Sequence, residues 1–433
     1  MNKIYYIFKL YFFVFSPLLF AQQNTISPYS YLGLGKFQDI EFAINSSSGG
    51  VGVALRSENY LNPRNPASLT SLINTAYEFS LIGDFVKISD NLSSVKYFNS
   101  TLSHLGIGFP ISEKVAIMAG SAPYTFYGYD ISNNSEVDLD GVNVPYQINH
   151  YGTGGLSRAF GSIGVELFEG FSIGTSGNMI FGTLSQNSDL TFNDSDENLF
   201  NSRQRVLRRI INFNFDLGLQ LYKNLYDKLF TVGAFYHNSA LSSNSYTTNE
   251  KLTYSYEIIN NIEFIRDTFD LVQTNNSSFN LPNSLNLGIS LLDYNNWSIS
   301  LDYDYAMWSQ LELFDFSNNF SDAYTIKFGG WYIPDIEDIH KYWKIIEYRF
   351  GFSYNSGYFG NNTQGNINLA DLFEYTYTLG FGFPIRKSKS VINTGFQFGK
   401  LANSDIELPK EKYLRINLSY TFNDKWFKKR KID

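Results

Sequence analysis

Between Tyr413 and Phe422 the side chains Leu414, Ile416, Leu418, Tyr420 and Phe422 alternate with Arg415, Asn417, Ser419 and Thr421. Successive residues of a strand point to opposite faces, so one face is wholly apolar and the other polar over about ten residues. The same pattern recurs upstream. Ile211 to Leu219 alternates with Asn212, Asn214, Asp216 and Gly218, and Leu285 to Leu291 with Asn286, Gly288 and Ser290. Trp297 to Tyr305 alternates with Ser298, Ser300, Asp302 and Asp304. Tyr348 to Tyr354 alternates with Arg349, Gly351 and Ser353, and Phe373 to Phe381 with Glu374, Thr376, Thr378 and Gly380. These runs are about twice the ordinary soluble strand of ~5–6 residues. They match the ~9–11 residues of a tilted membrane-crossing strand.

The connections support the same reading. Short turns fall near 110–113, 166–170, 223–227, 293–296 and 384–389, with a longer one at 334–344. Long polar stretches lie between them, at 128–144, 184–205, 240–280, 310–322, 356–372 and 400–412. Short turns at one end and long loops at the other are the habit of bacterial barrels. With opening strands near 75–86 and 95–109, the count is about fourteen. The uncertain part is 251–262, which reads equally as a hairpin inside the long loop. An even number places both ends of the barrel on the periplasmic side. The expected fold is therefore all-β, a transmembrane antiparallel barrel over 75–422, and the expected location is the outer membrane of a Gram-negative bacterium.

Composition agrees. Aromatic residues make up 18% of the 433 residues and charged residues only 17%, against about a quarter charged in soluble chains. Aromatics favour strands and membrane interfaces. Residues 1–21 read as a secretory signal: Lys3 and Lys9, then the apolar run Leu10–Phe20, then Ala21 before cleavage. The alternative, a retained anchor, conflicts with a run shorter than the ~20 residues of a spanning helix. The chain has no Cys, which removes disulfides, thiolate metal sites and a lipidated cysteine. A net charge of −8 argues against nucleic acid. The basic tail within 423–433 (Lys425, Lys428, Lys429, Arg430 and Lys431) reads as a solvated periplasmic extension or as a contact for a partner or lipid surface.

Catalytic signals are missing. The four His, at 104, 150, 237 and 340, have no metal-ligand spacing. No nucleophile elbow or phosphate-binding loop is present. The expectation is a non-enzyme with no cofactor and no metal. Asp189, Asp194, Asp196 and Glu197 lack the glycine and closing Glu of a calcium loop. They read as a solvated loop or as loose cation or lipopolysaccharide bridging.

Ahead of the strands lies a different kind of sequence. From Ser46 to Leu69 the chain is rich in Gly, Ser, Asn and Pro, yet Val51, Val53, Ala54, Leu55, Leu61, Ala67 and Leu69 are apolar. Such irregular, half-apolar backbone must be buried with its polar groups satisfied, and the interior of a barrel would do this. Asp216, Asp302, Asp304, Arg349, Glu374 and Arg415 must face the lumen, because charge facing lipid is costly. There they would hydrate a channel, pair along the wall or hold the inner segment, with Arg56, Glu58 and Arg64 as complements. Gly120 and Pro123 interrupt the third strand, implying either a kink or a strand end.

Gly49, Gly50, Gly52 and Ala54, followed by Asn65, Pro66, Ala67, Ser68 and Leu69, resemble the N-terminal hatch of FadL/TodX-type outer-membrane transporters for hydrophobic compounds. The run Leu281–Pro282, Gly288, Asp302 and Trp308–Ser309 is similar to a late hairpin of that family, and the ending resembles its Bacteroidota members. The resemblance implies a hatch or plug over 22–74 and passive uptake of small hydrophobic, fatty-acid-like molecules. It also implies a lateral window in the wall, here at Gly120 and Pro123. The partners expected are outer-membrane lipid and a small hydrophobic ligand. The alternative is a barrel that transports nothing and docks protein partners in a secretion or assembly complex.

Overall fold

The computed structural model describes residues 25–424, except 32, 92, 140, 193–198, 239–245, 260–261, 276–278, 295, 314–319, 360, 363–366, 369–371, 387 and 404–407. The signal sequence, most of the basic tail, and Asp194, Asp196 and Glu197 lie outside the described residues. Fourteen antiparallel strands close into a barrel. They are β1 (Thr75–Ser89), β2 (Ser94–Pro110), β3 (Val115–Leu139), β4 (Val142–Phe168), β5 (Phe171–Phe192), β6 (Asn201–Leu225) and β7 (Lys228–Asn238). Next come β8 (Ser284–Asp293), β9 (Trp297–Ala306), β10 (Ala323–Tyr332), β11 (Glu347–Asn355), β12 (Phe373–Pro384), β13 (Val391–Ala402) and β14 (Lys410–Asp424). Closure is made by β1 on β14, in register from Thr75 opposite Asp424 to Ser89 opposite Lys410.

The apolar face of each strand points outward. Phe79, Leu81 and Phe85 on β1, Phe213, Leu217 and Leu219 on β6, and Leu285, Leu287 and Ile289 on β8 are all exposed. The inward positions between them are buried and mostly polar, such as Glu78, Ser80 and Asp84 on β1 or Asn212, Asn214 and Asp216 on β6. This inversion of a soluble protein is what a lipid solvent selects.

Two of the expected loops are largely strand. Residues 128–139 and 142–144 continue the β3–β4 ladder, 184–190 and 202–205 continue the β5–β6 ladder, and β4 reaches 27 residues where β8 has 10. Their outward face is polar because it meets water above the lipid, while the inner face still buries Tyr129 and Leu184 and the backbone goes on pairing. The ambiguous stretch at 251–262 is a hairpin, Tyr246–Ile259 with Ile262–Asn275. Its first strand takes over the outer half of β6, from Asn201 to Ile211, where β7 has ended. At the opposite end the turn after β10 is pinned by Asp338. This carboxylate accepts the backbone N–H of Lys341 (2.7 Å) and His340 (2.8 Å) and faces Lys344 at 2.7 Å. The Lys341 amide and these neighbours hold its carboxyl well below the usual range.

Residues 25–74 contact inward side chains from β1 round to β14, and a segment that touches all sides of a closed ring lies within it. Its apolar residues join four clusters with the wall among the described residues, Leu34 and Tyr29 entering two of them at the outer end. Ile40, Phe42, Leu61, Leu69 and Leu72 pack on Ala116, Met118 and Phe160, and Ile44 and Leu55 pack on Leu229, Leu292 and Trp331.

Candidate functional site

The inner segment sits against a wall stripped of side chains. Gly164, Gly174 and Gly218 lie directly opposite one another on β4, β5 and β6. Gly233 faces Gly288, Gly329 faces Gly351, and Gly380 faces Gly395. A Cβ on Gly164 would stand 2.5 Å from the Pro66 carbonyl oxygen, and one on Gly174 would stand 2.5 Å from the Ala67 amide. On Gly218 it would meet Asn65, on Gly233 Val53, on Gly329 Ser48, on Gly351 Gly49 and on Gly380 Ser47. This belt lets segment and wall meet backbone to backbone. Its signal was in the sequence, as glycines at inward positions of the alternating strands, and sequence reasoning did not use it.

Polar contacts fix the segment in that seat. Asn65 caps the short 3-10 helix Pro66–Ser71 by accepting from the Ala67 amide at 3.0 Å. Its amide nitrogen donates to the carbonyls of Val53 (2.7 Å), Leu219 (3.1 Å) and Ala234 (3.3 Å). Asp302 accepts the backbone N–H of Gly52 (2.7 Å) and Val53 (2.9 Å), and Thr378 accepts that of Gly49 (2.9 Å). Gly49 and Gly50 have φ of 72° and 79°, which side chains rarely adopt, where the chain turns back on itself. An Asn65→Ala variant loses both the cap and the bond to the wall. It is expected to lower stability by about 1–3 kcal/mol, read as a lower thermal midpoint in detergent.

Ion pairs hold the segment further, most of them on its upper side and Arg349 toward the short-turn end. Arg64 bonds Asp304 at 2.6 Å and Asp39 at 3.3 Å. Lys327 contacts Asp39 and lies 3.1 Å from Asp304. Arg415 grips Asp84 at 2.7 and 2.9 Å and donates to Gln38 at 2.9 Å. Arg349 donates to Ser47 (3.1 Å), the Ala43 carbonyl (3.3 Å) and Glu347 (2.7 Å). Glu374 lies 3.7 Å from Lys36. Of the six lumen charges singled out, Asp302, Asp304, Arg349, Glu374 and Arg415 thus reach the segment. Asp216 stays within the wall, 2.5 Å from His237 and 2.9 Å from Asn178. Of the proposed complements, Arg64 meets carboxylates. Arg56 meets Gln220 and Thr70 (2.9 Å each) and stacks on Tyr222 at 3.8 Å, while Glu58 is exposed. Lys327, Asp39 and Glu78 were not anticipated. Lys327 stands at an inward position between Thr325 and Gly329, where the alternation marks it.

Above this network lies a cavity of about 350 Å³. Its lining carries the charges of Lys36, Asp39, Arg64, Arg158, Asp304 and Lys327. Interleaved with these charges are the aromatic residues Phe37, Tyr124, Trp308 and Tyr358. Trp308 stacks on Tyr358 at 4.3 Å.

The wall is discontinuous beside the segment. The ladder between β2 and β3 runs only from Leu105–Ser121 to Pro110–Ala116 and does not extend along 94–104. Gly120 lies opposite Gly106 just below the break, and Pro123, which has no N–H, lies just past it. Tyr124 is an extra residue in the β3–β4 ladder. The vacated edge of β3 is met from inside: Lys36 and Phe37 pair with Phe126 and Thr125, and the Gln38 amide donates to the Tyr124 carbonyl at 2.9 Å. A cavity of about 40 Å³ lies there between His104, Pro123, Phe126 and Gln38.

A family model described as BamG matches residues 1–433. The chain belongs to the BamG family. No curated protein sequence matches this BamG-family chain. Its fold is shared with solved barrels of FadL/TodX type. A Pseudomonas aeruginosa FadL homologue matches with a TM-score of 0.56 at 11% identity, over 90% of this chain and 99% of that one. The P. putida toluene transporter TodX matches with a TM-score of 0.55 at 15% identity, over 89% and 100%. The Ralstonia pickettii toluene transporter TbuX matches with a TM-score of 0.55 at 14% identity, over 88% and 98%. At these identities the likeness is one of fold.

Proposed function

We propose that this protein is a non-transporting barrel subunit that docks protein partners in an outer-membrane assembly, with both termini in the periplasm. The observation that carries the reading is the seat. Segment 25–74 meets the wall backbone to backbone along the glycine belt and is held by Asp302, Asp304, Lys327, Arg349 and Arg415. The space left above it mixes aromatic side chains with the charges of Lys36, Asp39, Arg64, Asp304 and Lys327, and those charges disfavour a wholly apolar ligand. The docking surface is the outer hairpin. Its second strand, Ile262–Asn275, pairs on one side only among the described residues, and it exposes Ile265, Phe269 and Leu271. A free edge with apolar side chains suits an extended strand from a partner. Replacing Ile265, Phe269 and Leu271 together by Ser is expected to leave the barrel folded and to remove co-purifying outer-membrane proteins by more than about ten-fold. Retention of the same partners would sink the docking role.

A second reading rests on the break between β2 and β3. There Phe37 and the small cavity near Pro123 stand where an apolar molecule would leave sideways into lipid. This hydrophobic-uptake reading requires the Lys36–Phe37 strand to leave the β3 edge. Protein-dependent entry of a hydrophobic probe into lipopolysaccharide-containing proteoliposomes would favour it over docking.

A further inference from the structure

At the barrel end remote from Thr75 and Asp424, the outward side chains change abruptly from apolar to basic. On β1 the outward series Phe79, Leu81, Gly83, Phe85 ends at Lys87. On β2 Lys96 stands above Phe98, on β14 Lys412 above Leu414, and on β13 Lys400 above Phe398. The registers put Lys96 directly opposite Lys87, Lys87 opposite Lys412, and Lys412 opposite Lys400. Four lysines thus lie side by side on four adjacent strands. With strands about 4.8 Å apart they cover roughly 15 Å of the rim.

Like charges directly opposite one another destabilise a sheet. No carboxylate shares the outward face of these strands at this height, where Ser89, Ser94 and Lys410 are the next outward residues. The acids of β1 and β14 nearest this height point inward: Asp84 is bound by Arg415, and Glu411 lies 3.7 Å from Lys36. At the β1–β2 turn, Asp90 accepts from the Ser93 amide at 2.6 Å. Lys400 rests 5.9 Å from the Tyr375 ring, while Lys87, Lys96 and Lys412 are exposed. The row therefore stands immediately above the lipid band with no acid on its own face among the described residues.

We propose that Lys96, Lys87, Lys412 and Lys400 form a binding site for the phosphate groups of a phosphorylated glycolipid in the outer leaflet. The site uses the orientation proposed above, termini in the periplasm. Juxtamembrane lysines gain from anionic headgroups at this height, and the gain fades within a Debye length. A row of four suits a headgroup carrying several negative charges rather than one.

The test uses the full-length protein in nonionic detergent with lipid A added to the micelles. The K87Q/K96Q/K400Q/K412Q variant is expected to bind lipid A at least about ten-fold more weakly than the wild type. Dephosphorylated lipid A should bind the wild type as weakly as the variant, and added salt should close the gap. A K114Q/K223Q variant, with exposed charge removed at the opposite end, should bind normally. Without lipid A the quadruple variant should unfold at the same temperature as the wild type or higher, because repulsion has been relieved. Equal binding by wild type and quadruple variant would overturn the proposal, as would a quadruple variant less stable without lipid A. A site that instead prefers phosphatidylglycerol over lipid A would overturn the leaflet and the orientation together, leaving the docking reading of the hairpin to its own test.

Discussion

A Gly174→Val substitution should unseat the inner segment. The added Cβ would stand 2.5 Å from the Ala67 amide and meet the Pro66 carbonyl carbon, both of them backbone atoms. Overpacking a core usually costs about 1–3 kcal/mol because side chains shift. Here neither side can yield, since the ladder of β5 runs behind Gly174 and the short helix capped by Asn65 stands before it. The expected result is a barrel in which residues 25–74 become protease-sensitive and the thermal midpoint falls by several degrees. Gly177 on the same strand provides the control. A Cβ there meets nothing within 4 Å, so Gly177→Val should leave both readouts unchanged or raise stability slightly through lower chain entropy. Equal tolerance at both glycines would mean that the segment is loosely held.

Lys327→Met should produce the second large loss. Lys327 is 3% exposed and faces Asp39, Glu41 and Asp304, while Arg64 shares two of these partners. Asp39 is exposed and keeps its water, so the loss falls mainly on half-buried Asp304 and Glu41, at a cost of about 1–3 kcal/mol. Adding Asp304→Asn to Lys327→Met should recover part of the loss, because one stranded charge is then gone. A Lys327→Met protein as stable as the wild type would show that water already satisfies Asp304 and Glu41, and that the upper network does not hold the segment.

The barrel was legible because lipid imposes a simple rule on each strand. The alternation in 211–219, 285–291 and 414–422 marked outward and inward faces, and the short turns at one end gave the strand count. The upper extensions of β3–β6 were not legible. Above the lipid the outward face meets water, so 128–139 and 184–192 lose the apolar half of the alternation while keeping the ladder. The inner segment was recognisable as buried irregular backbone from Gly49 to Leu69, but its partners were only half visible. Asp302 and Arg349 stood out as charges at inward positions. The glycine belt carries no charge and no pattern of its own. It becomes visible only when the registers bring Gly164, Gly174 and Gly218 side by side. Glu58 misled because a charge near the hatch motif looked like a partner, whereas the chain carries it to the exposed end.

The most direct test of the seated segment exploits the absence of native cysteine. A Cβ on Gly395 would lie 3.4 Å from that of Ser47, close to the separation of about 3.5–4.5 Å in a disulfide. A Ser47→Cys/Gly395→Cys protein can therefore be locked by oxidation and released by reductant. The measurement is the entry of a hydrophobic probe into lipopolysaccharide-containing proteoliposomes bearing this protein, oxidised and then reduced. The seated-segment account predicts the same rate in both states, equal to that of liposomes without protein. Protein-dependent entry that stops on oxidation and returns on reduction would contradict it and make the segment a moving gate.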